Sequence, residues 1–151
     1  TPNLDLKIAD FGIAVIGDHV TCGEDDVMVG TLNYLSPEYI EKGIYDMRSD
    51  IYSLGIIAFE LLTGKLPFSG KSPLENLMQR VKDKPLRPEY IRNDCPFDLS
   101  NIILKALHKD PEKRFQTAAD FAEAIMQTES FEEYVRSGYD APHSYQPTAL
   151  S

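Results

Sequence analysis

The sequence predicts a mainly α-helical fold with one short N-terminal strand, one long loop and about five helices. Apolar residues recur at helical spacing through most of residues 50–126, whereas residues 4–9 alternate apolar and polar side chains as a strand does. The chain has 151 residues, 42% of them hydrophobic and 26% charged, which is ordinary for one globular domain.

The first third of the chain predicts a strand, a loop and a short helix. Residues 13–35 are irregular, and an unstructured stretch of this length in a compact domain indicates a functional loop. Ser36 is suited to cap a helix and Pro37 to occupy its first turn. Gly43 is suited to end it.

Residues 50–63 are apolar on nearly all sides and are followed by Gly64. A helix without a polar face is a buried helix, so this segment is expected to need neighbours on every side.

The remaining helices follow from spacing and from helix-ending residues. They are an amphipathic helix at residues 74–81 ended by Pro85 and Pro88, a helix from Phe97 to Leu107 after Pro96, a helix from Ala118 to Met126 after a Thr117 cap, a last turn or two at residues 131–135, and a mobile tail from Ser137.

Composition excludes some classes of function. The net charge of −9 argues against a nucleic-acid partner, because phosphate binding needs clustered Lys and Arg. No apolar run approaches the ~20 residues that span a bilayer, so we expect no membrane span and a cytoplasmic protein. Cys22 and Cys95 lack metal-ligand spacing and are expected to be reduced thiols.

Four motifs occur in a fixed order. Asp10-Phe11-Gly12 follows the predicted strand, and Gly30-Thr31-x-x-Tyr34-x-x-Pro37-Glu38 follows it by about the length of one exposed loop. Each alone has a simpler interpretation, as a turn or as a turn before a capped helix. The third and fourth motifs are Asp50-x-Tyr52-Ser53-Leu54-Gly55, continuing to Phe68, and Lys109-Asp110-Pro111-x-x-Arg114-Phe115.

Together these motifs resemble the catalytic domain of eukaryotic-type serine/threonine protein kinases, from the Asp-Phe-Gly motif onward. Residues 112–119 are similar to the eukaryotic-like kinases of bacteria. The resemblance implies a kinase-like C-lobe portion at residues 1–127, which contains a long activation loop, and a short helical extension and tail at residues 128–151. It also implies ATP, Mg²⁺ and a protein substrate with a Ser or Thr acceptor.

The resemblance implies roles for the first two motifs. Asp10 matches the magnesium ligand, Phe11 a packing residue and Gly12 a turn. Thr31 matches the hydroxyl beside the substrate site. Thr21 is the natural candidate for activating phosphorylation, and a solvated loop threonine is the alternative interpretation.

It implies roles for the later motifs as well. Glu38 and Arg114 match a buried ion pair that ties the activation segment to the helices. Asp50 matches a carboxylate that anchors the catalytic loop, although a residue favoured at a helix start is the alternative. Ile57 and Leu61 match apolar positions beneath the adenine pocket, and ordinary core positions are equally compatible.

The glycine-rich loop, the phosphate-binding lysine and the catalytic-loop Asp and Asn precede Asp-Phe-Gly in this family, so the 151 residues do not contain them. We expect a fragment of a kinase that depends on an upstream N-lobe and catalytic loop and is inactive alone. The alternative is a truncated, non-catalytic module that binds a protein partner. Ile51, Leu54, Ile57 and Leu61 would then be partly exposed for association.

Overall fold

A computed structural model describes residues 32–136, apart from the side chains of residues 134 and 135. Within that range the chain forms six α-helices and two short 3₁₀ turns, and it contains no strand. The helices are α1 (Pro37–Lys42), α2 (Met47–Thr63), α3 (Pro73–Lys82), α4 (Phe97–Ala106), α5 (Ala118–Met126) and α6 (Glu129–Arg136), and the 3₁₀ turns are Pro88–Tyr90 and Pro111–Lys113.

The predicted mainly α-helical class is confirmed. The five predicted helices correspond to α1–α5, and the last turn or two expected at residues 131–135 is the eight-residue helix α6. The predicted strand at residues 4–9, most of the long loop and the tail from residue 137 lie outside the described residues. None of the helices between residues 32 and 136 is long and apolar enough to cross a membrane.

Helix α2 begins earlier than its apolar pattern indicates because a polar cap starts it. The Asp46 carboxylate accepts a hydrogen bond from the Arg48 N–H at 2.7 Å, and the Ser49 hydroxyl accepts one from the Asp46 N–H at 3.3 Å. This reciprocal capping satisfies N–H groups that the first turn leaves unpaired. The helix ends as predicted at Gly64, whose φ of 70° is one that glycine adopts without strain.

One face of α2 is buried and the other is not. Ile51, Tyr52, Ile56 and Phe59 are at most 1% exposed. On the opposite face the exposed fractions are 39% for Leu54, 43% for Ile57 and 81% for Leu61. Within residues 32–136, neighbours cover one face of the helix only, and Leu54, Ile57 and Leu61 have the partial exposure that was expected of them. The expected exposure of Ile51 was wrong, because Ile51 packs with Ala106, Phe115 and Phe121.

The core lies where α2 crosses α4. Gly55 permits the crossing, because a Cβ atom at this position would stand 3.0 Å from the Ala106 Cβ and 3.1 Å from the Leu107 Cδ2. Aromatic and aliphatic side chains fill the space on either side of the crossing. One group is the Ile51 cluster described above, and the other is Tyr52, Ile56, Phe59, Phe68, Ile103 and Leu107.

The other helices pack around this pair. Helix α5 contacts α4 and α6, and a reciprocal cap holds its start. Thr117 accepts a hydrogen bond from the Asp120 N–H at 3.0 Å, and the Asp120 carboxylate accepts one from the Thr117 N–H at 3.1 Å. Helix α3 packs against α1. The short helix α1 is therefore held between α3 and the residues around Arg114.

Candidate functional site

Glu38 and Arg114 form a two-pronged ion pair between the first turn of α1 and the turn before α5. Arg114 Nη1 donates to Glu38 Oε1 at 2.9 Å, and Nη2 donates to Oε2 at 2.6 Å. The Arg114 side chain is fully buried and the Glu38 side chain is 12% exposed. Paired, charge-assisted hydrogen bonds of this kind fix the relative orientation of the two groups.

The remaining Arg114 donors all bind backbone carbonyls. Nε donates to the His108 oxygen at 2.7 Å, Nη1 to the Arg48 oxygen at 2.8 Å and Nη2 to the Lys109 oxygen at 3.1 Å. With the two bonds to Glu38, every N–H of the guanidinium has an acceptor. One buried charge therefore joins α1, the start of α2 and the turn after α4.

Glu38 is held as a carboxylate by the groups around it. Burial alone would raise its pKa, but the bonds from Arg114 and its backbone environment lower it, and the Ser49 hydroxyl donates to Oε1 at 2.8 Å. The net result is a pKa below the ordinary value of Glu. Arg114 also lies over the Tyr52 ring, 4.9 Å from its centre.

Because the pKa of Glu38 is lowered on folding, the pair should make stability depend on pH. Its contribution is fully present above the unfolded-state pKa of about 4.5 and is lost as the pH falls through the lower folded-state value. Below pH 4.5, we expect the urea concentration at the unfolding midpoint to decrease with falling pH more steeply for the wild type than for Glu38→Gln. Equal slopes for the two proteins in that range would contradict the linkage.

The residues immediately before α1, segment 32–35, are held by side chains from two helices. The Ser53 hydroxyl of α2 donates to the Tyr34 carbonyl at 2.7 Å, and the Tyr34 hydroxyl donates to Glu60 Oε2 at 3.0 Å. Burial raises the pKa of Tyr34, and the bond to Glu60 raises it further. From α3, Arg80 Nη1 donates to the Leu32 carbonyl.

Sequence reasoning did not identify these contacts. Ser53 and Glu60 are seven residues apart, which places them on one face of α2 two turns from each other. Arg80 lies three residues after Leu77, on the same face of α3. These spacings can be read from the sequence. The hydrogen-bond partner of each side chain cannot, because it lies at least 19 residues away in the chain.

The structure does not bring Asp50 to the Glu38–Arg114 pair. Asp50 is exposed in the first turn of α2, where its carboxylate accepts a hydrogen bond from the Tyr45 hydroxyl. That bond raises the pKa of Tyr45 to about 12. Ile57 and Leu61 lie on the exposed face of α2, outside the core that residues 32–136 form.

Several predicted residues lie outside the described part of the chain. They are Asp10, Phe11, Gly12, Thr21, Cys22 and Thr31. Between residues 32 and 136, no group of three or more His, Cys, Asp or Glu residues could hold a metal ion. Cys95 is a free, buried thiol, and its burial raises its pKa.

Helices packed on α2, with a buried Glu–Arg pair next to the segment that precedes α1, agree with the kinase-like C-lobe that the sequence motifs predict. The sequence profile described as "Protein kinase domain" matches residues 1–131. The chain belongs to the protein kinase domain family.

Bacterial relatives support the same assignment. Serine/threonine-protein kinase PknB of Mycobacterium leprae is 40% identical over 126 residues, covering 83% of this chain and 20% of the relative. PknB of Mycobacterium tuberculosis is 43% identical over 119 residues, covering 76% and 19%. A probable serine/threonine-protein kinase of Clostridium perfringens is 38% identical over 115 residues, covering 76% and 17%.

The resemblance to eukaryotic-like serine/threonine kinases of bacteria is thereby confirmed. The chain spans no more than about a fifth of the length of these curated relatives.

Proposed function

We propose that the chain is the C-lobe portion of a serine/threonine protein kinase that transfers the γ-phosphate of ATP to Ser or Thr hydroxyls of proteins. The observation that carries the proposal is the buried Glu38–Arg114 pair, in which all five guanidinium donors are used. Phosphoryl transfer is catalysed mainly by positioning, and this pair fixes α1 and the segment before it to the helical core.

The proposal gives the motif residues separate tasks. Thr31 would place its hydroxyl beside the substrate, and Thr21 would be the site of activating phosphorylation. Asp50 would anchor the catalytic loop, which is a use compatible with its exposed position in the first turn of α2. Ile57 and Leu61 would support the floor of the adenine pocket from the exposed face of α2.

ATP and Mg²⁺ belong to this proposal. The Asp10 carboxylate suits Mg²⁺, a hard cation that prefers oxygen ligands and is shared with nucleotide phosphates. Residues 32–136 contain no group of three or more His, Cys, Asp or Glu residues that could hold the metal ion instead. The bound metal would neutralise charge on the transferring phosphoryl group. The phosphate-binding groups would come from an N-lobe and a catalytic loop, and the reaction would take place in the cytoplasm, where ATP is available.

The test is phosphate transfer by the intact protein that contains this chain. With radiolabelled Mg-ATP and a panel of peptides, we expect label on Ser or Thr and none on Tyr. Residues 1–151 alone should show no transfer and no measurable Mg-ATP binding by calorimetry. Label on Tyr, or micromolar nucleotide binding by residues 1–151, would contradict the proposal.

The exposed apolar face of α2 favours a second candidate function. Leu54, Ile57 and Leu61 form a face that a non-catalytic module could use to bind a protein partner. The same assay separates the two functions. An intact protein that transfers no phosphate to any peptide or to itself would favour the binding module.

A further inference from the structure

Arg80 is the most deeply buried side chain of α3. It is 3% exposed, whereas Leu74 and Met78 on the same helix are 69% and 38% exposed. The helix therefore turns a charged residue inward and leaves two of its apolar residues in contact with solvent. An amphipathic helix is expected instead to bury its apolar residues and to expose its charged ones.

The Arg80 guanidinium has no carboxylate partner among residues 32–136. Its donors instead face segment 32–35. Nη1 donates to the Leu32 carbonyl, Nη2 lies 3.5 Å from Asn33 Oδ1, and Nε has no partner in the described part of the chain. Burial lowers the pKa of Arg80, because it disfavours the charged form of the guanidinium.

Such an arrangement is costly to stability. A buried charge loses its hydration, and even a buried ion pair is often replaced without loss by apolar side chains of similar volume. A methionine at position 80 would fill the same space without that cost. The feature that methionine cannot supply is the hydrogen bond to the Leu32 backbone, so that bond is the distinctive property of arginine here.

The hydrogen bond from Arg80 holds the backbone at the residue that follows Thr31 in the sequence. Leu32 directly follows Thr31, and α3 packs mainly against α1, which follows the same segment. Ser53 and Glu60 hold Tyr34 from α2. Arg80 thus supplies the contact from α3 at the end of the segment nearest Thr31.

We propose that Arg80 is a positioning residue that fixes the backbone at Leu32 and Asn33, and through it the site where the protein substrate binds. The substrate part rests on the proposed kinase function. The fixing of the backbone does not, and it can be measured in a protein without activity. The ligand class is a peptide with a Ser or Thr acceptor, because that is the molecule that Thr31 would contact.

The first test measures the backbone by hydrogen–deuterium exchange in the intact protein. Arg80→Met should raise exchange in residues 32–42 by about tenfold, the loss expected for one hydrogen bond from a charged donor. Arg80→Lys, which keeps a charged donor, should lie between the wild type and Arg80→Met. Ile103→Val, which removes one methyl from the core, is the matched control for a loss of overall stability. Unchanged exchange in residues 32–42 for Arg80→Met, or a rise equal to that of Ile103→Val, would overturn the proposal.

The second test separates positioning from general damage by steady-state kinetics. Arg80→Met should raise KM for the peptide about tenfold and leave KM for ATP unchanged, because the lost bond lies on the peptide side. Equal changes in both KM values, or a pattern equal to that of Ile103→Val, would show that Arg80 only stabilises the fold and would contradict its proposed positioning role. A wild-type protein without kinase activity would refute the proposed function, and the exchange result would still decide whether Arg80 fixes the segment.

Discussion

Replacing Arg114 with methionine is expected to lower the free energy of unfolding by about 3–5 kcal/mol, the cost typical of breaking a buried ion pair from one side. Two contributions add up. Glu38 would keep a carboxylate that is 12% exposed and has lost its cation. The carbonyls of Arg48, His108 and Lys109 would lose a donor. Chemical denaturation in urea at pH 7 measures the change.

Two further variants make the result specific. Arg48→Met removes a partly exposed arginine that pairs with Asp46 and Glu112, and its effect should be much smaller because water screens such pairs. The double variant Glu38→Leu/Arg114→Met removes both charges and should be more stable than Arg114→Met alone, because Glu38 is then no longer a buried carboxylate without its cation. Equal losses for Arg48→Met and Arg114→Met would contradict the role assigned to the buried pair.

The predictable parts of this fold are those that depend on neighbours in sequence. The Gly64 end of α2 and the Thr117 cap of α5 follow from residues within four positions of each other. The start of α2 was missed because Asp46 and Ser49 are polar, whereas the prediction followed apolar spacing. Ser36 illustrates a partial success. It precedes α1 as predicted, but its hydroxyl forms no cap and is buried without a partner in the described part of the chain.

The unpredictable parts depend on contacts between distant residues. Apolar spacing in α2 does not reveal which face α4 covers, because the buried Phe59 and the exposed Leu54 and Leu61 are all apolar. The Glu38–Arg114 contact spans 76 positions, and only the family resemblance indicated it. Arg80 carried no such indication, because no motif includes it and its acceptor is a backbone carbonyl.

Asp10→Asn is the variant with the largest expected effect on activity. In the intact protein we expect kcat for peptide phosphorylation to fall by at least about a hundredfold, the size typical when one group that stabilises developing charge is removed. The asparagine oxygen can still approach Mg²⁺, but it lacks the negative charge that makes the carboxylate a strong ligand. Raising the Mg²⁺ concentration should therefore recover part of the lost rate.

Asp83→Asn is the matched control, because it makes the same chemical change at an exposed residue that none of the kinase motifs includes. Its kcat and its Mg²⁺ dependence should equal those of the wild type. Circular dichroism of both variants separates lost chemistry from lost structure, since helix content reports mainly on segments such as α2 and α4. A folded Asp10→Asn protein with wild-type kcat would contradict the proposal that Asp10 binds Mg²⁺. The family assignment would stand, because it depends on residues 1–131 as a whole.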